Sequence, residues 1–551
     1  LGLALTACGT VGPNGEDGAR SSEARAATPS PAATASPAAT ASADGSVSEP
    51  GGAGLGEIEF PNSGAPEAQE AFVRGVLLLH SFEYGKAAAA FRRAQKADRG
   101  FALAYWGEAM THDHPLWGQE DRTAARAVLD RLAPSPEARL AAAPTERERM
   151  YLEAVATLFG PGDKARRDRA YAAAMRRLHE AYPDDLEAKA FYALSLLGSV
   201  EGRDHPTYMK AAALAEEVYQ ANPRHPGAVH YLIHSYDDPI HARLGLRAAR
   251  VYGRLAPAAV HAQHMPSHIF LALGMWDEVV TANEASSGAA REEGGENLHA
   301  LHWLMYAFLQ QGRVTEAREV LAQIERAAER GLGTDYLARA RANYLVETGR
   351  WEGEVAGMAV STGGVRVAAG AADAFVNGVV GLRSRGDPAA LEALAALRAR
   401  RMAGEGNPNS YGPSVVAARV METELEALRA RHAGDRERAV SRLREAAAAE
   451  ERMPYEFGPP TVVKPTRELL GELLLEAGQA AEAEAQFRRS LERAPRRALS
   501  LLGLARAAKA AGDDRTAAEA YGELRGMWRA ADPDLPALAE VRAAAEDGAG
   551  G

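Results

Sequence analysis

His230 and His234, His264 and His268, and His299 and His302 are the residues whose type and spacing could do chemistry in this chain. Each pair is three or four residues apart, which on a helix puts both imidazoles on one face about a turn apart. Imidazole is the commonest metal-binding side chain and titrates near neutrality, so the pairs point to a metal site or to a polar, pH-sensitive groove. Ten of the fifteen histidines fall between His205 and His302, less than a fifth of the 551 residues. The candidate ligands are His230, His234, His264, His268 and His302. All-nitrogen ligation with optional carboxylates suits a divalent transition metal such as zinc, copper, nickel or iron. Asp237 and Asp238 follow the first pair, where they could ligate or orient an imidazole, and Met265 lies beside His264.

Other readings of these residues bound the chemistry. A zincin helix needs Glu directly after its first His as general base, and Tyr231 and Met265 stand there instead. His179-Glu180 fails the same test, because Pro183 occupies the place of the second His. With no Gly-rich phosphate loop, nucleophile elbow or CxxC, the common catalytic signatures are absent, and no residue is assigned a catalytic role. An enzyme, if this is one, is metal-dependent and not of the HExxH type. Each histidine could instead be a polar packing residue donating to a backbone carbonyl. The two readings differ in whether the rings share one cavity. His112-Asp113-His114-Pro115-Leu116-Trp117 reads as a loop whose aromatics seal neighbouring helices or face the main cluster. His205 and His225, each followed by Pro, read as turn residues, and His241 as a cluster member or a helix start. His80 and His432, beside turns, read as solvated.

The elements that would position these side chains are helical. Ala, Leu, Glu and Arg dominate most segments, a mix that favours helix, and Ala228 to Tyr236 reads as helical while Pro266 marks the first turn of a new helix. From about residue 67, paired amphipathic helices recur at roughly 34 residues per pair. One unit runs through Gly75, Leu78, Ala87, Phe91 and Ala94, and another through Gly471, Leu474, Ala483, Phe487 and Pro495. The unit after that follows at once with Leu504, Ala505, Ala517 and Tyr521. Turns containing Gly274, Gly312, Gly349 and Gly434 mark weaker copies between them, since Gly permits the left-handed helix-terminating conformation.

By these residues the chain resembles the tetratricopeptide repeat family over about residues 67 to 530. The resemblance implies an all-α fold, helix-turn-helix repeats stacked as a right-handed superhelix, with a protein or peptide ligand in the concave groove. In such an array the first helices of successive repeats line one wall, and three of them would bring their histidines together. Phe101 to Met110, His225 to His234 and His264 to His268 further resemble a group of secreted bacterial repeat proteins of unassigned activity.

Residues 1–8, ending in Leu5-Thr6-Ala7-Cys8, resemble the end of a bacterial lipoprotein signal peptide, in which the cysteine takes the lipid; the charged start of such a leader is expected to lie before Leu1. Residues 9–55 are Ala, Thr, Ser, Pro and Gly with few bulky apolar groups, a composition that suits a disordered tether. A superhelix over 56–452, C-terminal units over 453–535 and a tail over 536–551 complete the division. Residues 353–370 read as a loop or irregular helix pair, residues 404–414 as a loop, and Met453 to Pro460 as a connector or the rim of a binding surface. A formal charge of −11 without a long basic run argues against nucleic acid, and no apolar window is long enough for a spanning helix. The sequence therefore leads to a lipid-anchored scaffold of the bacterial cell envelope that binds a protein, peptide or small ligand, or else to a metal-binding protein or metal-dependent enzyme using the histidines of 230–302.

Overall fold

Small residues decide where the helices of this protein cross. The ring of Phe91, on the helix Tyr84–Ala97, lies between Gly75 of the helix Pro66–His80 and Gly107 of the helix Ala102–Met110. A Cβ at Gly75 or Gly107 would stand 2.7 Å or 2.3 Å from that ring. The arrangement recurs near the C-terminus, where Gly471 of Thr466–Glu476 and Gly503 of Ala498–Ala511 flank Phe487 of Ala480–Arg493, with would-be Cβ contacts of 2.8 and 2.2 Å. The small-and-large register of the tetratricopeptide pattern is thus a packing rule: one phenylalanine fills the space that two glycines leave, and all three are buried.

The computed structural model describes residues 54–407 and 410–547. Cys8, the candidate lipidation site, lies outside them, as does all of the 9–55 tether but its last two residues. Among the described residues the fold is all-α: helices pack in succession as hairpins from Pro66 to Asp547, interrupted by one two-stranded ribbon in which Asp113–His114 pairs antiparallel with Gln119–Glu120. None of the described helices is long and apolar enough to cross a membrane. Residues 353–370 hold only the short helix Glu354–Gly357 before Val367–Ser384 begins, and of the loop expected over 404–414 both ends are helical, in Asp387–Glu405 and Gly412–His432, while residues 408 and 409 lie outside the described residues.

The stack returns on itself twice. The first helix, Pro66–His80, packs against Pro226–Tyr236, about 150 residues later in the chain. Further along, the Tyr306 hydroxyl meets the Arg497 guanidinium at 2.7 Å, and Gln310 Oε1 accepts from the Ala498 N–H at 2.9 Å. Arg497 is buried and also holds the carboxylates of Glu468 (2.8 Å) and Glu347 (2.6 Å), so its charge is matched inside the protein. At the Gly312 turn, whose φ is +69°, a Cβ would strike Leu535 and Ala531 at 2.7 and 2.8 Å. These cross-contacts make the inner helices core rather than wall, with Trp106, Trp303, Tyr231 and Tyr252 among the largest fully buried side chains.

The glycine contacts give a paired test. Gly107→Ala is expected to cost about 1–3 kcal/mol through overpacking against Phe91 and to lower the midpoint of urea unfolding followed by circular dichroism. Gly288, in the helix Trp276–Glu292 with nothing within 4 Å of its would-be Cβ, should gain about 0.5–1 kcal/mol on the same change. Equal effects at the two positions would refute the packing rule.

Candidate metal centre

Three neighbouring helical segments carry the imidazoles. The helix Pro226–Tyr236 starts where Pro226 presets the backbone and the His225 ring accepts from the Ala228 N–H, and it carries His230 and His234. Val260–His264 and Pro266–Ala272 form a broken helix, with Pro266 opening its second half as the sequence predicts. His261 and His264 come from the first half and His268 from the second. Leu298–Gln310, capped by the Asn297 side chain, carries His299 and His302.

These rings converge in two sets. The ligand nitrogens of His230, His234 and His261 lie within 4.8 Å of one another, and those of His264, His268 and His299 do likewise. His261 and His264 sit three residues apart on one helix, so the sets are adjacent; the ring centroids of His234 and His268 are 5.7 Å apart, and those of His261 and His264 are 6.2 Å apart. Four of the five residues singled out from sequence are thus brought together. His302 stands apart from both sets, with its Nε2 2.9 Å from Asn343 Oδ1. His261 and His299 complete the triads in its place.

The hydrogen bonds fix where the protons are. His264 Nδ1 is 2.6 Å from Asn283 Oδ1, and the Asn283 amide group donates to the Val279 carbonyl, so the oxygen must face the ring and Nδ1 must carry the hydrogen. His268 Nδ1 donates to the Asp237 carboxylate at 2.5 Å. With both rings neutral, both Nε2 atoms bear lone pairs, and they face each other at 3.1 Å. In the other set His230 Nδ1 donates to the His80 carbonyl at 2.6 Å, and its Nε2 lies 3.0 Å from His234 Nε2. His261 Nε2 is buried without a hydrogen-bond partner. Two ligand nitrogens at 2.0–2.1 Å from a tetrahedral ion stand about 3.4 Å apart, so a small opening of each close pair admits an ion. One proton could bridge one pair, but it would leave His299 and the His261 nitrogen unused.

Around the sets the walls are aromatic. Phe82 has φ +55°, a left-handed conformation that costs a bulky residue of order 1–3 kcal/mol and persists only where its surroundings demand it. Its ring lies edge-on to His230 at 4.3 Å and also covers His234 and His261 at 5.9 and 5.6 Å. Trp303 covers His264 and His268 at 4.9 and 4.4 Å. Two ends reach solvent: Trp117, 6.0 Å from His261, and Phe457, 5.5 Å from His268, are 41% and 42% exposed. The His112–Trp117 motif therefore faces the cluster, and the Met453–Pro460 segment does too. Burial pushes the His230 and His264 imidazoles down to about 3 and holds His234, His261 and His299 well below the ordinary value, so these rings are neutral at neutral pH. Burial also brings His302 down to about 3.

A second histidine cluster shows what a proton-balanced network looks like. His80, fully buried rather than solvated as its position beside a turn suggests, donates from Nε2 to Glu187 at 2.8 Å and accepts from the Tyr231 hydroxyl at Nδ1 at 2.8 Å. His225, more than a turn residue, donates from Nε2 to the other Glu187 oxygen at 3.1 Å. Every imidazole nitrogen has a matching partner, so this cluster leaves no lone pair for an ion. Although burial opposes its charge, the two histidines bring the Glu187 carboxyl down to about 2. His241 immediately precedes the helix Ala242–Leu255 and pairs with Asp238 at 2.9 Å; His205, 3.9 Å from the same carboxylate, is partly exposed.

No protein-family model matches the chain, and no curated protein matches it. Among solved structures it is similar to the APC/C hetero-tetramer Cut9–Hcn1 at 12% identity, covering 87% of this chain and 76% of that one with a TM-score of 0.38. It is also similar to the yeast Tom70 at 10% identity, covering 82% of this chain and 90% of that one with a TM-score of 0.32.

Acid should unfold the metal-free protein from the histidines inward. An imidazole at about 3 in the folded state and about 6.5 in the unfolded chain lets only the unfolded chain bind protons between those values, so stability falls as pH drops through that window. The melting temperature is expected to be flat above about pH 7 and to decline steadily below about 6.5; a rise on acidification would contradict neutral rings. Glu187→Gln, which turns an acceptor toward two N–H donors into a partial donor, should cost roughly 2–4 kcal/mol by urea titration at neutral pH.

Proposed function

We propose that this helical-repeat protein is a metal-binding protein whose ions sit among His230, His234 and His261 and among His264, His268 and His299. One observation carries the reading: the Nδ1 atoms of His264 and His268 are held by Asn283 and Asp237 while their Nε2 atoms meet across 3.1 Å, which for two neutral rings sets lone pair against lone pair. Two buried lone pairs at that distance repel, and a cation between them turns the repulsion into two bonds. A carboxylate, an amide or a backbone carbonyl on the far nitrogen orients an imidazole for metal binding generally. The repeat scaffold supplies rigidity, since each ligand helix packs on its neighbours and Pro226–Tyr236 also packs on the first helix. A transition metal of the imidazole-binding group, zinc, copper, nickel or iron, fits the donor set. The Leu5-to-Cys8 motif and the tether after it support acylation at Cys8 and a place in the bacterial envelope, where a buried centre would work on the exported side.

Metal analysis of untagged protein tests the proposal. At least one transition-metal ion per chain is expected, and His264→Ala with His268→Ala together should lower metal retention by about 10-fold or more while leaving the helical circular dichroism unchanged. Protein that folds without metal and takes up none on dialysis against zinc, copper, nickel or iron would overturn it. That outcome would favour a scaffold that binds a protein or peptide in its concave face.

A further inference from the structure

Resting on that metal-binding reading, we infer that the two histidine triads form one two-ion copper centre that takes up the metal as the monovalent ion. The geometry that carries this is the pairing of two chemically alike, carboxylate-free ligand sets on one shared helix. Each set offers three imidazoles within 4.8 Å, and the helix Val260–His264 contributes His261 to one and His264 to the other.

Charge then selects the ion. Neither set includes a carboxylate. Asp237 reaches the cluster only through the far nitrogen of His268, at 2.5 Å. Glu83 accepts the backbone N–H of His261 at 3.0 Å and is paired with Lys86 at 3.1 Å. Arg203 places a cation against the His234 and Asp237 backbone carbonyls, at 3.0 and 2.5 Å, and 3.7 Å from the Asp238 carboxylate. The cost of burying an ion grows with the square of its charge, and unpaired buried charge is expensive. Two divalent ions would bring four positive charges to two ligand sets that contain no carboxylate, and the carboxylate bonded to a ring of either set, Asp237, is already engaged by His268. Two monovalent ions bring half that charge.

Three neutral nitrogens are a full coordination shell for monovalent copper, whereas a divalent zinc ion takes a fourth donor. Each set offers three imidazoles, and aromatic rings adjoin both: Phe82 lies 4.3 Å from His230 and Trp303 4.4 Å from His268. Copper also stands above the other divalent first-row metals with nitrogen ligands, so the oxidised ion would not be displaced by zinc.

The test uses the full chain, stripped of metal and kept anaerobic with a reductant. It is titrated with monovalent copper against a chromophoric copper chelator, and separately with zinc. Two copper ions per chain are expected, with zinc displaced by copper at a preference of at least about 100-fold. His261→Ala and His299→Ala, both partly exposed positions, should each lose one ion while keeping the other, with unchanged circular dichroism. A single copper per chain, or the same one ion lost in both variants, would overturn the two-ion centre while leaving a metal-binding protein. Zinc retained at full occupancy in the presence of equimolar copper would overturn the choice of ion in the same way. Failure to bind either metal would overturn both this inference and the metal-binding reading itself.

Discussion

Two nitrogen lone pairs held face to face inside a protein are the constraint around which this molecule is arranged. Asn283 and Asp237 hold the outer nitrogens of His264 and His268 and so keep the rings from turning apart; with both rings neutral, the two Nε2 atoms are left facing each other 3.1 Å apart. The same device holds His230, through the carbonyl of His80. That carbonyl belongs to the last residue of the first helix, so the first repeat orients an imidazole encoded about 150 residues later.

The repeat architecture supplies that reach. Hairpins held in register by glycine against phenylalanine stack predictably, and the stack curls until inner helices touch. Where they touch, the polar groups are balanced. Glu187 collects the two N–H donors of His80 and His225, and Arg497 collects Glu347 and Glu468. These networks are saturated whereas the inward nitrogens of the two triads are not, and on the proposed reading that contrast separates a structural cluster from a binding one. In the Glu187 cluster each imidazole proton has one acceptor and each free nitrogen one donor; in the triads the count of protons falls short of the count of nitrogens facing inward.

Much of this was legible in the residues. The hairpin rhythm, the turn glycines and the broken helix at Pro266 are local signals, and helical spacing of four put His230 with His234 and His264 with His268. The third ligand of each set was harder to read because it depends on which way a neighbouring helix is rotated. Residues three apart point about 60° apart around a helix, enough to send His299 to His264 and His302 to Asn343. His261, three before His264, carried the same local spacing signal but stood outside the pairs of four. His80 looked solvated because the helix across from it, 150 residues away, is invisible to any local pattern. The lone-pair geometry itself rests on Asn283, Asp237 and a backbone carbonyl, residue types too common for their spacing to mark them.

The decisive experiment is a metal-soaked crystal of the whole chain, measured at the absorption edge of the added metal. An anomalous peak is expected between His264 and His268, about 2.0–2.1 Å from each Nε2, with the Asn283 and Asp237 hydrogen bonds intact. A map without density there, in crystals whose two nitrogens remain hydrogen-bonded to each other, would contradict the metal-binding reading.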